Sequence, residues 1–362
     1  MALKRGIAAL ALSCALLLTG CSSLLENPYA VVEPHTERPA TAEDSSAVQA
    51  GTYSELVNTV LFFVSQGTEK GLIQLTDDYD GDVEEDLNRA CLEVAKDDPL
   101  GAYAVDFIKN DCTKVLTTYE ATITISYRRT REQIRSLVNV TGTSAIRDEV
   151  RAALADFQSE VALRVGYFTE SADSIAALVR QAYYDEPAAL GMPEFTVSLY
   201  PASGGQQRIV EILLTYPEDT QALRQKSDDL QSTADALVLP LRPHQLSPSA
   251  RQAELFSLVR EHVRARPDGG PTAWDALLGD GADSEGLALT FQLLSGKMEV
   301  GSVLVEGTLN GEPHFWNQLT ADGGAHYVDL TRDASGTTYS AADLLSLGYV
   351  WEGAEENAEN LN

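Results

Sequence analysis

Basic residues are scarce in this sequence. The 362 residues include 26 Lys and Arg against 54 Asp and Glu, so the formal net charge at pH 7 is -28. A surface this acidic repels nucleic-acid phosphates and anionic lipid headgroups, and we expect neither as a ligand. The acidic run at 77–82 fits no EF-hand register, and no His or Cys follows a ligand spacing. We therefore predict no metal and no cofactor.

The N-terminal apolar run is too short to cross a membrane. It covers Ile7 to Leu18 and follows Lys4 and Arg5, whereas a hydrocarbon core about 30 Å thick needs a longer helix. We predict a signal peptide at 1–20. Its end, Leu18-Thr19-Gly20-Cys21, resembles the lipobox of bacterial lipoproteins, which implies a lipid anchor on Cys21 at the extracytoplasmic face of the cell membrane. The alternative is an ordinary secretory cleavage site.

Few cysteines are left for the folded part of the chain. Cys14 leaves with the signal peptide and Cys21 is the predicted anchor, so only Cys91 and Cys112 remain. In an extracellular setting these two could form a disulfide. A buried free thiol at Cys91 is the alternative.

Residues 21–50 are rich in Ser, Glu, Thr, Pro and Ala, which predicts a flexible tether. A weak internal repeat follows, with one unit at 51–141 and a second at 142–240. Asp97-Asp98-Pro99 in the first unit corresponds to Asp185-Glu186-Pro187 in the second. Two such units predict tandem α/β sandwiches, each a small sheet covered by helices on one face.

The repeat also extends to predicted elements. The expected helices are Tyr53 to Ser65, Val83 to Ala95, Ile146 to Gln158 and Ser174 to Tyr184. The expected strands are Gly71 to Leu75, Ala102 to Ile108, Tyr119 to Tyr127, Val161 to Val165, Phe195 to Tyr200 and Arg208 to Tyr216. A closing helix follows in each unit, capped by Thr130 in the first and by Asp219 in the second.

The last region, 241–362, has a different pattern. We expect helices from Pro248 to Arg266 and from Glu285 to Leu294, then strands at Ser302 to Gly307, Pro313 to Leu319 and Ala325 to Asp329. In the final hairpin the numbers of paired residues should add up to an odd number near 645. That parity places His314 and Asp329 on one face as diagonal neighbours, about 7 Å apart.

Three motifs in this region carry chemistry. They are Asp283-Ser284-Glu285-Gly286-Leu287-Ala288, His314-Phe315-Trp316-Asn317 and Val328-Asp329-Leu330-Thr331. In order and spacing they resemble the transglutaminase-like domains of bacterial cell-surface proteins, with Cys-x-Gly-Tyr-Ala, His-Ala-Trp-Asn and Val-Asp-Pro-Thr-Trp-Asp. The resemblance implies a papain-like fold, so the whole chain is predicted to be α+β, and a peptide-amide substrate class. Ser284 replaces the nucleophilic Cys, Leu287 a Tyr, Phe315 a small residue and Arg332 a Trp.

The resemblance makes Ser284, His314 and Asp329 the catalytic positions, and Trp316 and Asn317 groove residues. A Cys at a helix start beside an imidazolium is stabilised as a thiolate. A Ser stays protonated and must transfer its proton to the His during attack. In a purely structural interpretation, Ser284 caps the helix, His314 and Asp329 stabilise the hairpin, and Trp316 belongs to the core.

Three functions follow from these alternatives. Our leading hypothesis is an envelope lipoprotein whose inactive transglutaminase-like domain binds a peptide or protein. The second is an active Ser284–His314–Asp329 hydrolase or acyltransferase acting on wall peptides or surface proteins. The third is a structural protein that acts in envelope assembly through its repeats.

Overall fold

The computed structural model describes residues 47–204, 206–321 and 324–354. The predicted signal peptide, the anchor Cys21 and the tether up to residue 46 lie outside the described residues. Within the described ranges, no helix is long and apolar enough to cross a membrane. Helices and several sheets are mixed along the chain, as an α+β protein requires.

The first sheet has the strand order β1-β2-β4-β3. Its chain segment contains β1 (Ala47–Ala50), α1 (Tyr53–Gln66), β2 (Lys70–Leu75), α2 (Val83–Lys96), α3 (Pro99–Ala104), β3 (Val105–Val115), β4 (Thr118–Tyr127) and α4 (Arg131–Arg135). β1 runs parallel to β2, and β2 runs antiparallel to β4. Residues 47–50, predicted to belong to the tether, form a strand of this sheet, and Ala47 and Ala50 are buried in it.

The second sheet has the order β5-β6-β8-β7, which is the same arrangement. Its elements are β5 (Val138–Thr141), α5 (Gly142–Ala155), β6 (Glu160–Gly166), α6 (Ala172–Tyr184), β7 (Glu194–Tyr200), β8 (Arg208–Thr215) and α7 (Thr220–Val238). β5 is parallel to β6, and β6 is antiparallel to β8. In both sheets the first strand thus runs parallel to the second, and the second antiparallel to the fourth.

The third sheet, β12-β11-β10-β13, belongs to the last region. The elements are α8 (Pro248–His262), β9 (Ala265–Gly270), α9 (Ala273–Leu277), α10 (Ser284–Lys297), β10 (Ser302–Leu309), β11 (Glu312–Ala321), β12 (Gly324–Val328), α11 (Ala341–Ser346) and β13 (Tyr349–Val350). Asn310 and Gly311 join β10 to β11 and both have positive φ, as a two-residue hairpin turn requires.

The described chain divides into two compact units. One comprises residues up to Phe63 with Lys70–Cys91 and Lys109–Thr124, and the other comprises Val64–Glu69, Leu92–Ile108 and everything after Thr124. In the second unit, one apolar core runs from Val140 to Leu330 and includes side chains of the second sheet, α7, α8, α10 and β11. A smaller aromatic cluster around Trp316, Tyr349 and Trp351 lies beside it in the third sheet.

Two predicted elements are wrong. Residues 102–104 belong to α3 rather than to a strand, because the Asp98 carboxylate caps the amides of Leu100 and Gly101 and starts a helix at Pro99. The helix predicted to run to Arg266 ends at His262, where the backbone turns extended at Val263 and continues into β9.

Gly286 shows how tightly the start of α10 is packed. A Cβ atom built on it would lie 2.7 Å from the carbonyl oxygen of Thr272 and 2.8 Å from that of Gly270. Both neighbours are backbone atoms, which cannot move aside as a flexible side chain would. Only glycine allows the helix start to approach β9 and α9 this closely.

Gly286→Ala should therefore lower the free energy of unfolding by about 1–3 kcal/mol through overpacking. Gly296, in the same helix, has open space where a Cβ would lie, so Gly296→Ala is the matched control and should be neutral or stabilising by up to about 1 kcal/mol. Urea unfolding followed by circular dichroism measures both. Equal effects of the two substitutions would contradict this account of the helix start.

Candidate active site

The helix α10 begins at Ser284, and its N-cap is Asp283. The Asp283 Oδ1 accepts hydrogen bonds from the amides of Glu285 (3.0 Å) and Gly286 (3.1 Å). This corrects the structural interpretation of Ser284 as the cap, since the residue before it takes that role. A carboxylate at the positive end of a helix is electrostatically favourable, so Asp283 both satisfies two free amides and neutralises the helix dipole there.

His314 lies on β11, and its imidazole contacts the carboxylate of Asp329, which follows β12. The distance from Nε2 to Oδ2 is 2.8 Å. The hairpin pairs Asn317 with Val328 and Gln318 with Tyr327, so paired numbers add up to 645 and the predicted register is confirmed. His314 and Asp329 meet because this register places them on the same face.

Asp329 is buried, with 1% of its surface exposed. Its Oδ1 accepts hydrogen bonds from the amide (2.8 Å) and the hydroxyl (2.7 Å) of Thr331. Its Oδ2 accepts from His314 and from the Tyr349 phenol. Burial by itself would raise the pKa of Asp329, but the hydrogen bonds from His314, Tyr349 and Thr331 outweigh it and lower that pKa.

These contacts decide which imidazole nitrogen can act. An ionised Asp329 accepts a hydrogen bond, so Nε2 of His314 carries the proton and Nδ1 keeps its lone pair. Within the described residues, Nδ1 makes no hydrogen bond. The indole of Trp316 stacks on the imidazole with 6.2 Å between the ring centres. The ring of Tyr349 makes a T-shaped contact with the imidazole, with 5.7 Å between the ring centres. The ring is therefore held on two sides with one nitrogen left for a ligand or a proton.

Ser284 makes no side-chain hydrogen bond to His314 in the described part of the chain. A serine nucleophile needs such a contact at about 2.6–3.2 Å to lose its proton during attack. The structure thus brings His314 and Asp329 together and leaves Ser284 at the neighbouring helix start without activation.

Acidic groups surround this helix start. Burial raises the pKa of Glu285 to about 7, with further contributions from Asp283 and Glu306. The side chain of Glu285 makes no hydrogen bond or ion pair to another described residue. Tyr184 lies close enough to Glu285 for the two groups to interact electrostatically. Its ring packs against that of Phe315, with 5.7 Å between the ring centres. An aromatic pair and a carboxyl with a raised pKa therefore lie beside the helix start.

Trp316 and Asn317, the predicted groove residues, are both buried. Each is 1% exposed. Trp316 belongs to the aromatic cluster, and the Asn317 amide donates to the carbonyl of Ala288 at 3.0 Å. Alternation along β11 points Trp316 into the cluster, whereas the carbonyl of α10 draws Asn317 into the interior.

The remaining predicted residues lie elsewhere. Cys91 and Cys112 are both free thiols in the structure, as in the alternative to a disulfide between them. Burial raises the pKa of Cys91 to about 11, as expected for an inert thiol. In the described ranges, no group of three or more His, Cys, Asp or Glu side chains is placed to hold a metal ion.

Sequence reasoning missed the capping role of Asp283 and the contact of Tyr349 with Asp329. Asp283 could have been found, because an Asp three residues before the buried run of α10 is a frequent N-cap. Tyr349 has no local signal. It lies 20 residues after Asp329 in sequence and reaches it only because β13 pairs with β10.

Comparisons with known proteins add little to this geometry. No protein-family profile matches the chain, and no curated protein matches it. One solved structure that it resembles is described as "Crystal structure of a TGase", with 14% sequence identity and a TM-score of 0.24. The match covers 60% of this chain and 63% of that one, so the chain spans less than two thirds of the matched protein. Likeness at this level concerns a transglutaminase-like fold at most.

Tyr349→Phe tests the hydrogen bonding of Asp329. Loss of one donor to a buried carboxylate should lower the free energy of unfolding at pH 7 by about 1–2 kcal/mol. The pKa of Asp329 is depressed in the folded protein. Its ionised form therefore contributes to the free energy of unfolding above pH 4, and this contribution is lost on acidification. Acidification should lower the free energy of unfolding less in the variant than in wild type. Urea unfolding at pH 7 and at a series of pH values below 4 measures this. Tyr167→Phe, at a side chain 65% exposed, is the control, and indistinguishable variants would refute the role of Tyr349.

Glu285→Gln tests the buried carboxyl group. The folded pKa of about 7 exceeds the ordinary value of 4.5, so stability contributed by the protonated form is lost as pH rises from about 4.5 to 7. The variant should unfold with a free energy about 1–3 kcal/mol above wild type at pH 8 and equal to it near pH 4. Glu254→Gln, on the exposed face of α8, should show no such difference. A pH-independent effect at Glu285 would contradict the assignment.

Proposed function

We propose that the protein is a lipoprotein anchored through Cys21 at the extracytoplasmic face of the bacterial membrane. Its last region, from about residue 241, is a degenerate transglutaminase-like domain with papain-like architecture. This domain binds a peptide or protein ligand and does not transfer an acyl group. The two units before it are tandem α/β sandwiches, an interpretation supported by their common strand order.

The capping of α10 by Asp283 carries this proposal. In a thiol enzyme, free amides at a helix start stabilise the thiolate and the oxyanion that forms during attack. Here the Asp283 carboxylate accepts from the amides of Glu285 and Gly286. A negative charge therefore occupies the place where an enzyme of this kind needs positive potential.

The Ser at position 284 agrees with the same interpretation. A hydroxyl group cannot rest as an anion at neutral pH, so it needs a base in contact and an oxyanion hole. Ser284 has no hydrogen bond to His314, and two of the nearby amides are already occupied. Ser284 therefore lacks the contacts that would activate it as a nucleophile.

Ligand binding uses groups that survive this loss of catalysis. The Nδ1 atom of His314 can accept a hydrogen bond from a peptide N–H, since Asp329 fixes the tautomer. The rings of Tyr184 and Phe315 offer partly exposed apolar surface near Glu285 at the start of α10. A peptide segment lying across these groups would bury the aromatic pair and satisfy the open nitrogen.

The chain beginning at Ser22 keeps every described residue and serves for the test. A glutamine-containing peptide with hydroxylamine as acceptor reports acyl transfer, and fluorescence polarisation of the same peptide reports binding. We expect wild type and Ser284→Ala to bind alike without turnover. Ser284→Cys should react slowly, and the added Asp283→Asn should raise the thiolate fraction about tenfold, since one removed charge lowers the thiol pKa by about one unit.

Phe315→Ala should weaken peptide binding at least tenfold. Val303→Ala, at an exposed residue of the adjacent strand β10, is the matched control and should bind as wild type does. Turnover by wild type that disappears in Ser284→Ala would establish a serine enzyme instead. Absence of both binding and turnover in every variant would reject the proposal in favour of a role for the repeats.

A further inference from the structure

The strand β3 is an edge strand with an unusually open surface. It lies last in the order β1-β2-β4-β3 and is 11 residues long. Its residues from Asp106 onward are exposed or half-buried. In the described part of the chain, β4 is the one strand beside it, so its outer backbone edge is open for pairing. Such an edge is a template for another strand.

The charges along this strand form a symmetric pattern. Asp106 and Lys109 precede Asn110, and Asp111 and Lys114 follow it, all four charged side chains being exposed. Asp106 and Lys114 are each four residues from Asn110, and Lys109 and Asp111 are each one residue from it. A two-fold axis at Asn110 therefore exchanges each acidic residue with a basic one.

Antiparallel pairing of two copies of β3 makes this symmetry meaningful. With Asn110 opposite Asn110, Asp106 faces Lys114 of the second copy and Lys109 faces Asp111, giving four opposite-charge pairs across the axis. Moving the axis to Lys109 or to Asp111 places two like charges directly opposite each other. Directly opposed side chains lie about 4.5–5.5 Å apart, so such contacts favour one register and disfavour its neighbours.

We propose that the partner of β3 is a second copy of this chain, paired antiparallel about Asn110. The two four-stranded sheets then form one sheet of eight strands across a two-fold interface. Exposed charges on an edge strand usually prevent pairing. Here they disfavour pairing in the two adjacent registers and support it in the register centred on Asn110, which favours a homodimer over unspecific association.

The apolar residues of β3 fit the same arrangement. Phe107 is 44% exposed and Val115 is 41% exposed. In the proposed register Phe107 lies opposite Thr113 of the second copy, and Val115 lies opposite Val105. The side chain of Lys114 lies over the ring of Tyr119 at 5.2 Å, which keeps its ammonium group close to the strand. Pairing thus covers apolar surface that the monomer leaves in water.

Sedimentation equilibrium of the chain beginning at Ser22 tests the proposal. We expect a monomer–dimer equilibrium for wild type. Asp106→Lys or Lys114→Asp alone places like charges opposite each other twice per dimer and should raise the dissociation constant at least tenfold. Lys96→Glu, at an exposed residue of α2, is the control for net charge and should leave the equilibrium unchanged.

Charge exchange decides the register. An equimolar mixture of the Asp106→Lys and Lys114→Asp variants restores every opposite-charge pair and should form a heterodimer as stable as the wild-type dimer. The doubly substituted chain should likewise dimerise by itself. A monomeric wild type at all concentrations, or single variants that dimerise as wild type does, would overturn the proposal. So would single variants that fail to recover in the mixture while remaining folded by circular dichroism.

Discussion

The carboxylate of Asp329 needs hydrogen-bond donors, and much of the last region is arranged to supply them. An ionised group without water costs several kcal/mol unless donors replace the lost solvation. Four hydrogen bonds reach it, from His314 on β11, twice from Thr331 and from Tyr349 on β13. The hairpin register and the pairing of β13 with β10 are thus linked at one buried charge, which also fixes the tautomer of His314.

The helix start beside this pair has the opposite electrostatic character from that of a thiol enzyme. Asp283 occupies two amides of α10, and Glu285 adds a second carboxyl group that ionises only near pH 7. The imidazole and its carboxylate are arranged for proton transfer, whereas the group they would activate is not. The potential at this helix start therefore disfavours an anion there, although the His314–Asp329 pair lies close by.

Local signals predicted much of this structure. The caps at Thr130 and Asp219 follow from side chains that compete for free helix amides, and the parity of a hairpin was enough to bring His314 and Asp329 to one face. The failures depended on contacts distant in sequence or on a stronger local signal. Asp98 and Pro99 start a helix where apolar residues suggested a strand, and the inward position of Asn317 depends on the carbonyl of Ala288 in α10.

The apolar core that extends from Val140 to Leu330 has a consequence for cooperativity. Side chains of the second sheet, of α7 and of the last region pack into one cluster across residue 240. Melting either part removes apolar cover from the other, so the two should open together rather than one after the other. A ligand held beside His314 would then protect amides of the second sheet from hydrogen exchange without touching them, because the free energy of its binding is shared by the whole core.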